Sequence, residues 1–185
     1  MPYEIYFATG NPDKFLEAKE IFGKNAAGMP LNHFQFAHRE IRSDSLEEIA
    51  REAVSAAHAQ LGRPVFVEDA GLFIDALNGF PGTYSAWVQG KLGNRGLLKL
   101  LESEPDRAAR FEACIAFNDG KTTRIFRGAC NGTIAEKERG RGGFGYDPIF
   151  VPKGESSTFA ENIELKNKYS HRYKSLLALI SYLKI

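Results

Sequence analysis

Four short stretches carry residue types at spacings suited to gripping a polyanion and activating water. The first is Thr9-Gly10-Asn11-Pro12-Asp13-Lys14, directly after the apolar run Ile5-Tyr6-Phe7-Ala8. Asn11 reads as a helix N-cap with Pro12 at the first helical position. A helix N-terminus attracts phosphate through its N–H groups and its dipole. Gly10 lets an anion approach the backbone, and Thr9 and Asn11 add side-chain donors. Lys14 is a cation in the first turn, where the dipole disfavours it by about 0.3–1 kcal/mol unless an anion lies nearby. An ordinary capped helix, with Lys14 solvated or paired with Asp13 or Glu17, shows the same pattern.

The second stretch is acidic. Glu68-Asp69 follows the apolar run Val65-Phe66-Val67, and acids at the end of a buried strand in an α/β fold commonly face a ligand crevice. Glu40 lies in the polar segment His38-Arg39-Glu40-Ile41-Arg42. Two carboxylates brought together suit Mg2+, which takes oxygen ligands from protein, water and phosphate. Taken singly, Glu68-Asp69 also fits a turn acid capping an N–H, and Glu40 a solvated charge.

The third is Gly143-Phe144-Gly145-Tyr146-Asp147-Pro148. Aromatics on a glycine-rich loop can stack on a nucleobase, and Asp147 can accept from a ring N–H or an exocyclic amine. The same residues fit a hairpin loop whose aromatics cover the core. The Gly140-Arg141-Gly142-Gly143 run is too short for an RNA-binding segment. The fourth is Lys166-Asn167-Lys168-Tyr169-Ser170-His171-Arg172. Ser170 as N-cap places His171 and Arg172 in a first turn, where an electron-rich acceptor would explain them; a solvated basic face is the alternative.

The elements that must position these groups follow from periodicity. A buried strand leads into the helix after Asn11, which Gly23 is placed to end. Ser45-Leu46-Glu47-Glu48 is a capping box, followed by Leu46, Ile49, Ala50, Ala53, Val54, Ala57 and Leu61 on one helical face until Gly62-Arg63-Pro64. A second buried strand covers 65–67. Gly79-Phe80-Pro81-Gly82 is a turn, and a short helix covers 96–101. Strands at 111–117 and 122–130 flank an Asn118-Asp119-Gly120-Lys121 turn. The last helix starts at Ser170 and buries Leu176, Leu177, Leu179, Ile180 and Leu183. This order predicts a single domain over 1–185 of α/β class. Its mixed central sheet is flanked by helices, in two lobes with a substrate cleft between them.

The bulk properties narrow the function. The 185 residues are 43% hydrophobic and 25% charged, with a formal net charge of +1. Such a balance gives no global field for holding nucleic acid or an anionic membrane. No run of roughly 18 apolar residues is present to span a bilayer. Met1-Pro2-Tyr3-Glu4 carries a charge where a signal peptide needs apolar residues. Cys114 and Cys130 are expected to be reduced, buried thiols in a cytoplasmic protein.

In order along nearly the whole chain, these motifs resemble the inosine triphosphate pyrophosphatase family, the house-cleaning dITP/XTP pyrophosphatases. The residues that carry the likeness are Thr9-Gly10-Asn11 with Lys14, Glu68-Asp69-Ala70-Gly71-Leu72, Gly79-Phe80-Pro81-Gly82, Phe144-Gly145-Tyr146-Asp147-Pro148, Lys166-Asn167 and Ser170-His171-Arg172. The resemblance implies an elongated fold, a homodimer, and Mg2+-dependent hydrolysis of ITP, dITP and XTP between the α- and β-phosphates. It implies that Thr9, Gly10, Asn11, Pro12, Asp13 and Lys14 hold the triphosphate, with Lys14 also catalytic. Glu40 and Asp69 match the metal ligands, and Asp69 the proton acceptor. Phe144, Gly145, Tyr146, Asp147, Lys166, His171 and Arg172 match the base pocket. Ala70 replaces the family's usual hydroxyl residue, so one contact to substrate is missing. Two other classes fit parts of the pattern: a nucleotide- or RNA-binding module without hydrolysis, and a pyrophosphatase for other odd bases. The co-occurrence of Glu40, Glu68 and Asp69 with Lys14 argues for catalysis.

Overall fold

A computed structural model describes residues 4–184. Met1, Pro2 and Tyr3, on which most of the leader expectation rests, and Ile185 lie outside the described residues. The elements are β1 (Ile5–Thr9), α1 (Pro12–Asn25), β2 (Leu31–Gln35), α2 (Leu46–Leu61), β3 (Val65–Ile74), β4 (Pro81–Gly82), α3 (Ser85–Leu100), β5 (Ala108–Asn118), β6 (Thr123–Ile134), β7 (Phe150–Pro152), α4 (Ile163–Tyr169) and α5 (His171–Leu183). One seven-stranded sheet runs β2-β1-β3-β5-β6-β7, with β4 beside β3. β1 is parallel to both β2 and β3, whereas β4 on β3 and β7 on β6 are antiparallel. This is the mixed sheet flanked by helices that the sequence predicts.

Two compact units emerge. The first comprises Met1–Asp69, Ala113–Gly128 and Arg172–Ile185, and the second Ala70–Glu112 and Ala129–His171. In the first, α1 and α5 close over Ile5, Phe7, Phe66, Ile115 and Phe117. In the second, Leu72, Ile74, Leu97, Phe111, Ile149, Phe150 and Phe159 form the core. Cys114 and Cys130 are both buried and free. Burial pushes the Cys114 thiol up to about 11, so it is not a thiolate near neutral pH.

Several boundaries differ from the expectation. α1 passes straight through Gly23 and stops at Ala26, whose N–H bonds to Phe22. An exposed glycine costs a helix only about 1 kcal/mol, which the burial of Ile21 and Phe22 offsets. β3 does not end before Glu68 but continues to Ile74, because β4 pairs with Leu72 and Phe73. α3 begins at Ser85 rather than Gly96, with a break at Gly93. Ser170 caps the C-terminal end of the unforeseen α4, and α5 follows at His171. Tyr84 and Trp87, 42% and 66% exposed, are not core residues. Among the described residues, no helix is long and apolar enough to cross a membrane.

Candidate active site

In the first unit, β1 delivers Thr9 to the start of α1. The Thr9 Oγ1 accepts from the Asn11 N–H at 3.1 Å. Asn11 Oδ1 accepts from the N–H groups of Asp13 at 2.9 Å and Lys14 at 3.2 Å. Pro12 has no N–H to offer, and Phe15 N–H bonds to the Asn11 carbonyl. The donors expected to greet a phosphate are therefore taken by the helix's own cap. What remains is the dipole field, Lys14 and the polar side chains of the turn. Gly10 packs against backbone: a Cβ there would sit 3.1 Å from the Phe36 carbonyl.

Lys14 answers its unfavourable position with a protein anion. Its Nζ lies 3.1 Å from the Glu68 carbonyl and 3.7 Å from Glu68 Oε1. That carbonyl belongs to the peptide joining Glu68 to Asp69, so the lysine ammonium sits at the acidic pair. Glu68 has a wholly buried side chain. Arg172 grips it through Nε at 3.1 and 3.0 Å and Nη2 at 2.7 Å, while Arg172 Nη1 bonds Glu17 at 2.5 Å. Burial alone pushes the Glu68 carboxyl up, but the charges of Arg172 and then Lys14 outweigh it, so the net direction is below the ordinary value. For Arg172, burial lowers and the two glutamates raise, and the glutamates win.

Strand alternation gives Asp69 different surroundings from Glu68. Asp69 is half-buried, with a buried Oδ2, and Ala70 beside it is half-buried. Glu40 is exposed, in a segment without helix or strand. Among the described residues, no three His, Cys, Asp or Glu side chains gather into a ready-made metal cage. The hard carboxylate oxygens of Asp69 and Glu40 do suit Mg2+, which needs only one or two protein ligands beside water and phosphate.

The second unit brings together Phe144, Asp147 and Lys166. Asp147 Oδ2 accepts from Phe144 N–H at 2.7 Å and from Lys166 Nζ at 2.6 Å. Lys166 Nζ also lies 4.3 Å from the centre of the Phe144 ring. Both charged side chains are nearly inaccessible, at 2% and 4% exposure for Lys166 and Asp147. Gly143, at φ 68°, permits this closure, since a Cβ there would meet Asp147 Oδ2 at 2.1 Å. Tyr146 is buried with its hydroxyl donating to the Ser85 carbonyl at 3.0 Å. His171 is buried and stacks on Phe111, 4.6 Å between centroids at 13°. Arg172, expected with this base set, bonds Glu68 and Glu17.

Sequence reasoning missed Ser85, Phe111, Gln89 and Asn94, and it placed Glu17 beside Lys14 rather than Arg172. The four missed residues had no signal. A sequence profile of the Ham1 family matches residues 5–182. A dITP/XTP pyrophosphatase of Methanopyrus kandleri is 50% identical over 175 residues, covering 94% of this chain and 92% of that protein. A protein of the same name from Saccharolobus solfataricus is 46% identical over 181 residues, 97% of this chain and 93% of that one. The solved structure of a HAM1 protein from Coxiella burnetii matches with a TM-score of 0.86 at 32% identity, over 98% of both chains. The chain belongs to the Ham1 family.

Proposed function

We propose that this chain is a nucleoside triphosphate pyrophosphohydrolase that converts ITP, dITP and XTP to the monophosphate and pyrophosphate with Mg2+. Its relatives' names support the substrate class. The observation that carries the chemistry is the Lys14 ammonium at the Glu68–Asp69 peptide, a cation fixed beside an acid suited to activating water. Glu68 is neutralised by Arg172 and Lys14 and serves to hold them in place. Mg2+ bound by Asp69 and Glu40 would supply neutralisation of phosphate oxygens. Lys14, Thr9 and Asn11 bind and orient the polyphosphate, with charge stabilisation in place before reaction. Asp69 orients the attacking water and accepts its proton. The water oxygen bonds to the α-phosphorus, the bond to the bridging oxygen breaks, and pyrophosphate leaves.

Base selection falls to the second unit's residues. The Lys166 ammonium is a hydrogen-bond donor and is held by Asp147. A purine with a 6-oxo group accepts a hydrogen bond from Lys166 or His171. Adenine sets its 6-amino group against them, and a buried unsatisfied polar group costs about 1–3 kcal/mol. Phe144 offers a ring for stacking. A homodimer in the cytoplasm completes the reading, on the resemblance. The test is incubation with Mg2+ and a panel of ITP, dITP, XTP, GTP and ATP, with pyrophosphate and orthophosphate assayed separately. The reading expects pyrophosphate from the first three, lost on chelation and restored by Mg2+. Orthophosphate alone would make the protein a phosphatase, and neither product would make it a binder. Light scattering should give twice the chain mass.

A further inference from the structure

We infer that Gln89 and Asn94 form an amide clamp on the Gly145 carbonyl and are positioning residues for purine recognition. This rests on assigning the base to the Phe144–Asp147 loop. Gly145 O accepts Gln89 Nε2 at 3.0 Å and Asn94 Nδ2 at 3.1 Å, filling both lone pairs of one carbonyl. The two amides also bond each other, Gln89 Nε2 to Asn94 Oδ1 at 3.3 Å. Asn94 Nδ2 reaches Glu138 Oε2 at 3.2 Å.

The backbone of α3 is shaped for this contact. Ser85 and Gln89 are four residues apart and share a helical face; the Ser85 carbonyl takes the Tyr146 hydroxyl, and Gln89 takes Gly145. Asn94 is five residues beyond Gln89, which on an unbroken helix is a turn of about 140° away from that face. Gly93, at φ 62° and ψ −176°, breaks the helix and returns Asn94 to the same carbonyl. Glycine has the freest backbone of any residue, and Gly145 stands at φ 62° between Phe144 and Asp147. Two convergent donors supply the stiffness that its own backbone lacks. Among the described residues, Gln89 even leaves its Oε1 buried without a hydrogen bond, because the flipped amide would set that oxygen against the Gly145 carbonyl.

Two experiments test the clamp. In steady-state assays with ITP and ATP, Gln89→Met and Asn94→Leu should each raise the KM for ITP about tenfold, the effect of one lost positioning bond. The fall in kcat should be smaller, and the ITP/ATP ratio of kcat/KM should drop. Gln89→Glu, which keeps the shape but swaps donor for acceptor, should behave like Gln89→Met. A wild-type KM and ratio in these variants, or equal losses for both nucleotides at an unchanged ratio, would overturn the proposal. In parallel, amide hydrogen exchange at residues 143–148 should speed up in Asn94→Leu and Gln89→Glu without any substrate, and unchanged exchange refutes the clamp. Absence of pyrophosphate release by the wild type would instead sink the functional reading and leave the exchange result to decide the clamp.

Discussion

Replacing Glu68 by Gln should destabilise the protein severely while leaving the fold's outline intact. The Glu68 side chain is 0% exposed and that of Arg172 2%, with Arg172 bidentate on the carboxylate. Removing one partner of such a buried pair costs about 3–5 kcal/mol, since the other charge stays buried. Glu17, 2.5 Å from Arg172 Nη1, still offsets part of that charge and favours the lower end, about 3 kcal/mol. For a chain of this length that is a fall in Tm of about 6–12 °C. The assay is thermal and urea unfolding of wild type and Glu68→Gln at several pH values. The folded carboxyl is held below its ordinary value of 4.5. Its stabilising contribution is therefore complete above pH 4.5 and is lost as pH falls further, through the folded value. The gap between the two proteins should be constant near neutrality and close in acid. A gap under about 0.5 kcal/mol at pH 7, or one that does not shrink in acid, would refute the reasoning.

Asp69→Asn and Lys14→Ala should each lose most turnover while unfolding within a few degrees of wild type; near-normal turnover in both removes the proposed chemistry. Lys166→Met or His171→Ala should erode the preference for ITP over ATP by roughly tenfold, read from kcat/KM for each nucleotide, and an unchanged ratio in both counts against the base assignment. Gly143→Ala would force a Cβ onto Asp147 Oδ2 at a positive φ, so KM should rise as the loop reopens; an unaltered KM would show that the loop geometry is not needed.

What could be read from the sequence was local. Ser45 caps α2 through its hydroxyl and Gly62 ends it in the left-handed conformation, because both signals need only neighbouring residues. β2, the polar alternation Leu31-Asn32-His33-Phe34-Gln35, escaped notice: it owes its pairing to β1. The run Glu68-Asp69-Ala70-Gly71 looks like a turn in isolation, yet β3 carries on through it to Ile74. Three glycines, at 90, 93 and 96, disguised α3. The residue types of the candidate site were legible, but the partnerships were not. Arg172 and Glu68 lie 104 positions apart, and nothing local marks either for the other. The helix cap is the opposite case: Asn11 was legible as the N-cap, and a cap of that kind takes first-turn N–H groups, here those of Asp13 and Lys14.

The most direct test is a crystal structure of Asp69→Asn with ITP and Mg2+. The account predicts the polyphosphate within hydrogen-bond reach of Lys14 Nζ and beside residue 69. A triphosphate bound away from both would contradict it.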